Sequence, residues 1–176
     1  MQGLGVLDEH KASVYKSSRA AGVSGDGKVV VGTSRAGDAY KAFTWTQAAG
    51  LQALGLLAGG DASQANAVNS DGSVVVGVAN RPYAPVPTIK QLVAVRWKDG
   101  TAQYVGDWLT AAGVTLGADT TFSEAVAVNA SGNVLIGRGL INGRTQNYLA
   151  RVDTDGTGGT SGGTSGGTSG GTSGGT

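Results

Sequence analysis

The sequence predicts an all-β fold of tandem four-stranded, blade-like repeats, propeller-like in arrangement and with about three units. Residues 18–32 return as residues 63–77 and, in looser form, as residues 123–137. Each copy joins an alanine- and valine-containing segment to a β-branched run through a polar turn, a pattern typical of paired strands. Gly27 and Gly72, which close equivalent turns, lie about 45 residues apart, a spacing typical of blade-like repeats.

The first two strands of each unit flank a tight turn. The turns read Ser-Gly-Asp-Gly at 24–27, Asn-Ser-Asp-Gly at 69–72 and Asn-Ala-Ser-Gly at 129–132. The closing glycine accommodates a positive φ, and the Asp, Asn and Ser side chains bond to the local backbone. Asp26 and Asp71 are alternatively cation ligands, but Ser131 holds the equivalent place in the third copy, so turn chemistry is favoured.

Two further strands complete a unit. Alternating apolar and polar residues predict a third strand at 42–46, 94–98 and, more weakly, 149–153. A fourth strand is predicted after a glycine turn at 49–55 and 99–106. Trp45 and Trp97 hold equivalent places in the third strand, which favours packing between units over stacking on a sugar.

Two segments break the repetition. Residues 80–91 hold all three prolines, so they cannot form an interior strand, and residues 138–144 form a second non-repeated loop. Non-repeated loops often carry binding residues. We therefore predict that a partner contacts Arg81, Tyr83, Lys90, Arg138 and Arg144.

One short helix is predicted near residues 107–113. Asp107 is placed to cap its first turn and Gly113 to end it. Trp108 and Leu109 are expected to face inward. The rest of the folded region is predicted to be strands and turns.

These patterns divide the chain into a β-repeat domain and a tail. The domain covers residues 1–155, with units at about 8–57, 58–106 and 107–155 and an orphan last strand at 1–7. Residues 156–176 are rich in Gly, Thr and Ser, which indicates a flexible linker or tail; regular packing of this segment along neighbouring subunits is the alternative.

The two ends of the array are predicted to pair with further strands. Residues 2–7 repeat residues 52–57, so Leu4, Val6 and Leu7 are expected to form an assembly strand, while the third unit lacks its fourth strand. Unpaired strand edges invite pairing. Closure within the chain predicts a trefoil- or prism-like body, and closure between chains predicts a dimer or a fibre.

The composition excludes several classes of binding partner and binding site. Thirteen basic against 12 acidic residues give a net charge of +1 without charge runs, which argues against nucleic acid and acidic membranes. With no cysteine, disulfides and cysteine-ligated metals are excluded. No apolar run is long enough for direct membrane insertion, and the N-terminal residues lack the pattern of a signal peptide.

No residue pattern predicts catalysis. The single histidine, His10, lies in a charged segment where it is expected to be solvated, and the serines lack a nucleophile elbow. The Gly-rich pairs lack the context of a phosphate loop. We expect a protein that is not an enzyme and that has no cofactor and no metal.

Residues 1–153 resemble the HAF-type extracellular repeat proteins of bacteria, which include autotransporter passenger segments. The resemblance rests on Val-Ser/Asn-x-Asp-Gly-x-Val-Val-Val-Gly, on Ala-Phe-x-Trp-Thr at 42–46 and on the Gly-Leu-x-x-Leu-Gly-x-Leu-x-Gly-Gly segment at 50–60. Residues 107–117 with 123–125 are similar to the closing part of such arrays. Lys41-Ala42-Phe43 departs from the family by lacking its histidine, and Asn69, Asn129 and Ser131 depart at the turns. The resemblance implies an extracellular or cell-surface location and a propeller-like architecture.

Two functions are predicted. The first is a non-catalytic surface protein whose units self-assemble into a fibre or layer and act in adhesion, as a homo-oligomer or filament. The second is a tethered lectin-type module that binds a glycan or a surface protein. Unpaired strand ends favour assembly.

Overall fold

The computed structural model describes residues 2–7 and 16–153. They form eleven strands and one helix, and the strands make three antiparallel sheets. The all-β class with one short helix is therefore confirmed. The described residues do not close into a propeller or a barrel.

Each sheet is built from strands that are consecutive in the chain. Sheet 1 contains β1 (Ser18–Val23), β2 (Val30–Ala36), β3 (Ala39–Thr46) and β4 (Gly50–Ala53). Sheet 2 contains β5 (Ser63–Val68), β6 (Val74–Tyr83), β7 (Val86–Lys98) and β8 (Thr101–Tyr104). Sheet 3 contains β9 (Thr121–Val128), β10 (Val134–Ile141) and β11 (Arg144–Arg151), and α1 (Val105–Ala111) lies between sheets 2 and 3 in the chain.

The three predicted hairpin turns are confirmed. Gly27, Gly72 and Gly132 all have a positive φ, between 73° and 80°. Asp26 Oδ1 accepts hydrogen bonds from Ser24 Oγ at 2.7 Å and from the Lys28 N–H at 3.0 Å. These bonds, the backbone one first, lower the pKa of Asp26 to about 2, so its carboxylate belongs to the turn.

The sheets stack face to face, and the core lies in the two junctions between them. Strand β5 packs on β1, β2 and β3, and strand β9 packs on β5, β6 and β7. Val31, Leu54 and Trp97 belong to the cluster between sheets 1 and 2. Val76 and Phe122 belong to the cluster that sheet 2 shares with α1 and sheet 3. Sheet 2 is thus covered on both faces.

The predicted packing between units is confirmed for only one of the two tryptophans. The Trp97 side chain is completely buried, and its Nε1–H donates to the Gly55 carbonyl at 2.7 Å. Trp45 is only half-buried. The two side chains share a repeat position, but only Trp97 has a neighbouring sheet packed over it.

The helix begins earlier than predicted. It starts at Val105 because Val105 and Leu109 are buried in the second junction, and the extended Tyr104 precedes it without a side-chain cap. Asp107 therefore lies in the first turn and does not cap the helix. Trp108 packs against the same core.

Three segments differ from the sequence interpretation. The proline-containing insertion is a two-stranded ribbon, because β6 and β7 continue to pair as far as Tyr83 and Val86 beyond the reach of β5 and β8. The predicted loop at 138–144 is the end of the β10–β11 hairpin. Residues 2–7 form no strand. His10 and residues 156–176 lie outside the described residues.

Candidate functional site

Repeat-equivalent side chains differ sharply in burial at one end of the stack. Val31 and Val76 are fully buried beneath the next sheet, whereas Ile136, at the same place in β10, is 44% exposed. Leu149 pairs with Ile136 as Arg96 pairs with Val76, and Arg96 is 9% exposed whereas Leu149 is 56% exposed. Ile136 thus continues the valine pattern of the covered faces, but no sheet formed by the described residues packs over the outer face of sheet 3.

A β-bulge adds a third side chain to this face. Each first strand shifts register at the same repeat position, so that Ala21, Asn66 and Val126 are the extra residues. Asn66 Nδ2 bridges to the next sheet by donating to Glu124 Oε1 at 3.2 Å and to the Ala125 carbonyl at 2.9 Å. Val126 is 44% exposed. We call the surface formed by Val126, Ile136 and Leu149 the terminal face.

Polar residues border a shallow groove of about 430 Å³ on the terminal face. Glu124 on β9 lies opposite Arg138 on β10 in the strand register, and both line this groove. Tyr148 lines it too, and its hydroxyl donates to the Glu124 carbonyl at 3.0 Å. Burial raises the pKa of the Tyr148 phenol, so the hydroxyl stays protonated as a donor.

The opposite end of the stack exposes the complementary half of a junction. Ala65 and Ala125 face the preceding sheet and are almost fully buried, whereas Ala20, at the same place in β1, is exposed. Val23 in the same strand is 58% exposed. Strand β1 therefore has the repeat pattern of β5 and β9, but no sheet formed by the described residues packs beneath it.

Residues 2–7 lie against sheet 1 of their own chain. The Leu7 N–H donates to Ser34 Oγ at 3.0 Å, and Ser18 Oγ donates to the Gly5 carbonyl at 2.7 Å. Leu4, Val6 and Leu7 are half-buried and line a groove of about 500 Å³ beside β4. The repeat-equivalent residues Leu54 and Leu57 pack on sheet 2 in the first junction. The predicted assembly strand is therefore a covering segment here, and its part in assembly stays a prediction.

The predicted partner-binding residues divide into two groups. Arg138 borders the terminal face, and Arg144 is exposed at the start of β11. The other three belong to the ribbon of sheet 2. Arg81 stacks 3.9 Å from the centre of the Tyr104 ring, Lys90 pairs with Asp61, and Tyr83 remains 41% exposed. The structure does not bring the two groups into one site.

Among residues 2–7 and 16–153, no group of three or more His, Cys, Asp or Glu side chains is placed to hold a metal ion. Arg96 is 9% exposed and stacks 5.3 Å from the Trp108 ring centre, and its Nε has no hydrogen-bond partner. Burial lowers the pKa of this guanidinium. In the described part of the chain, no helix has the length and apolarity to span a membrane.

No family model matches the sequence, and the search of curated proteins finds no similar protein. The resemblance to HAF-type repeats stays a prediction. The sequence predicted unpaired strand ends at both extremities of the array, of which residues 2–7 form no strand, and the terminal face was not predicted. No local signal reveals it, because Ile136 is apolar like its buried repeat counterparts Val31 and Val76.

Proposed function

We propose that the chain is a non-catalytic β-repeat protein of the bacterial cell surface or extracellular space. It self-assembles through the terminal face into a fibre or layer and acts in adhesion. The observation that carries the proposal is the exposure of Ile136 and Leu149 where their register equivalents in sheet 2, Val76 and Arg96, are buried. The surface location comes from the sequence resemblance alone.

The terminal face provides a driving force of limited size. Burying the remaining half of an aliphatic side chain contributes about 1 kcal/mol, so three such side chains contribute about 3 kcal/mol. Association costs on the order of 4 kcal/mol or more in lost freedom of motion. Backbone contacts must therefore add to the apolar burial. We expect association that is reversible and increases with protein concentration.

Two variants of matched exposure test the proposal. Leu149 on the terminal face and Ile89 on the ribbon are both 56% exposed. In sedimentation velocity over rising concentration, we expect the wild type and Ile89→Asp to associate and Leu149→Asp to stay monomeric. A wild-type chain that remains monomeric at millimolar concentration, or association that survives Leu149→Asp, would overturn the proposal.

The ribbon supports a second candidate function. Tyr83, Val86, Ile89 and Leu92 are all between 41% and 65% exposed on a ribbon that extends past the other strands of sheet 2. A tethered module that binds a glycan or a surface protein would use these side chains. In that case Tyr83→Ala abolishes retention on a glycan array or on whole cells, and Leu149→Asp leaves it unchanged. The opposite result rejects this candidate.

A further inference from the structure

Equivalent turn residues form a ladder of backbone hydrogen bonds along the stack. The Gly25 N–H donates to the Ser70 carbonyl at 2.9 Å, and the Ser70 N–H donates to the Ala130 carbonyl at 3.3 Å. Gly25, Ser70 and Ala130 hold the same place in the three hairpin turns. Each junction therefore adds one bond of the same polarity, from the earlier unit to the later one.

The ladder ends in an unused donor and an unused acceptor. Among the described residues, the Ala130 N–H donates no hydrogen bond, and the Gly25 carbonyl accepts none. These groups lie beside the two incomplete half-junctions, since Ala130 comes after β9 on sheet 3 and Gly25 comes after β1 on sheet 1. The unbonded backbone groups therefore lie beside the same two sheet faces as the exposed apolar side chains. One end of the stack has a free donor, and the other end has a free acceptor.

We infer that the terminal face receives sheet 1 of a second copy of this chain, head to tail. Strand β1 of the second copy takes the place that β5 and β9 take inside the chain. The Ala130 N–H then donates to the Gly25 carbonyl of the second copy, which continues the ladder in register. This inference rests on the proposed function and specifies which surface of the partner is used.

The polarity of the ladder favours this arrangement over a symmetric one. If two terminal faces met each other, both would present the Ala130 N–H, and neither would present the Gly25 carbonyl that a donor needs. A head-to-tail contact pairs every donor with an acceptor. Such heterologous contacts extend into filaments unless their rotation closes a ring.

The covering segment is compatible with head-to-tail docking. Residues 2–7 lie against sheet 1, and Leu54 and Leu57, the repeat counterparts of Leu4 and Leu7, pack in the existing first junction. That junction accommodates such a segment together with β5 on β2 and β3. The described N-terminal residues therefore need not leave sheet 1 for the second copy to dock.

Single cysteines on separate chains test the arrangement, because the chain contains no cysteine of its own. Val31 and Ala65 share the first buried cluster, and Val76 and Ala125 share the second, so Ile136 of one copy is expected to meet Ala20 of the next. Ala20→Cys and Ile136→Cys chains are mixed, oxidised and analysed on a non-reducing gel. We expect a mixed dimer in at least tenfold excess over either self-linked dimer.

Two controls and two possible contrary outcomes make the result decisive. Ile89→Cys mixed with Ala20→Cys is expected to give no mixed dimer, although Ile89, at 56% exposed, is more accessible than Ile136, at 44%. Val76→Cys combined with Ala125→Cys in one chain checks that this pair of positions can be linked. Efficient self-linking of Ile136→Cys would overturn the head-to-tail inference and leave terminal-face association standing. Sensitivity of association to Leu149→Asp without any mixed dimer would also overturn it.

Discussion

Sheets 2 and 3 are built from repeats of one sequence pattern, yet among the described residues only sheet 2 has a neighbour packed on both faces. Sheet 2 has four strands and is covered on both faces, whereas sheet 3 has three described strands and one face that no other described sheet covers. Val76 and Ile136 occupy the same repeat position, and only Ile136 is exposed. Burial in this molecule therefore depends on whether a neighbouring sheet is packed above, and similar side chains change from core to surface at the end of the stack.

The largest expected difference in stability comes from placing a carboxylate at the same repeat position of sheet 2 and of sheet 3. Val76→Asp places a carboxylate in a junction without a partner and is expected to lower the free energy of unfolding by more than about 4 kcal/mol. Ile136→Asp places the same group on the terminal face and is expected to change the monomer by less than about 0.5 kcal/mol. Urea denaturation in dilute solution measures both. Equal losses would show that the terminal face is not open in the monomer.

A second pair of variants compares the two tryptophans. Trp97→Ala is expected to cost about 3–5 kcal/mol because it empties a filled junction and removes the bond to Gly55. Trp45→Ala is expected to cost about half of that or less, since its side chain is only half-buried. Thermal unfolding followed by circular dichroism provides the comparison. A larger loss for Trp45 would contradict the described packing of sheet 1.

The hairpin turns could be predicted from the sequence, whereas the exposure of the terminal face could not. Turn chemistry was predictable because the oxygens of Ser24, Asn69 and Asn129 bond locally, each accepting the N–H of the first residue of the next valine run. Exposure of the terminal face was not predictable, since it depends on whether another sheet packs over sheet 3 and not on local residues.

Two further errors have local causes. The helix start was misplaced because Asp107 has the sequence signature of a cap, while burial of Val105 determines where the helix begins. The ribbon was interpreted as a loop because proline excludes an interior strand but not an extension paired on one side. Pro82 pairs with Lys90 in such an extension.

A third pair concerns the bulge residues. Asn66→Ala removes two hydrogen bonds from sheet 2 to β9 and is expected to cost about 1–3 kcal/mol. Val126→Ala, at the same position of sheet 3, is expected to cost less than about 0.5 kcal/mol in the monomer. Chemical denaturation of both variants, with the wild type as reference, checks this difference. A cost at Val126 as large as that at Asn66 would indicate a covered terminal face in the monomer.

The smallest expected effect concerns acid sensitivity of the turns. The pKa of Asp26 is lowered from 3.8 to about 2, so its ionised form stabilises the fold above pH 3.8, and this contribution is lost as the pH falls towards 2. Asp26→Asn is expected to reduce the dependence of stability on pH between those values. Ser131→Ala in the third turn leaves that dependence unchanged. Stability curves at a series of acidic pH values measure it, and an unaltered slope in Asp26→Asn would contradict the turn assignment.

The central claim is that sheet 1 of a second copy packs on the terminal face of sheet 3. Hydrogen exchange resolved at single amides tests it most directly, with Ser70 as the internal reference because its N–H is already bonded in the isolated chain. We predict that the Ser70 amide is protected at every concentration and that the Ala130 amide becomes protected only as copies associate. Fast exchange at Ala130 in fully associated protein would contradict the account.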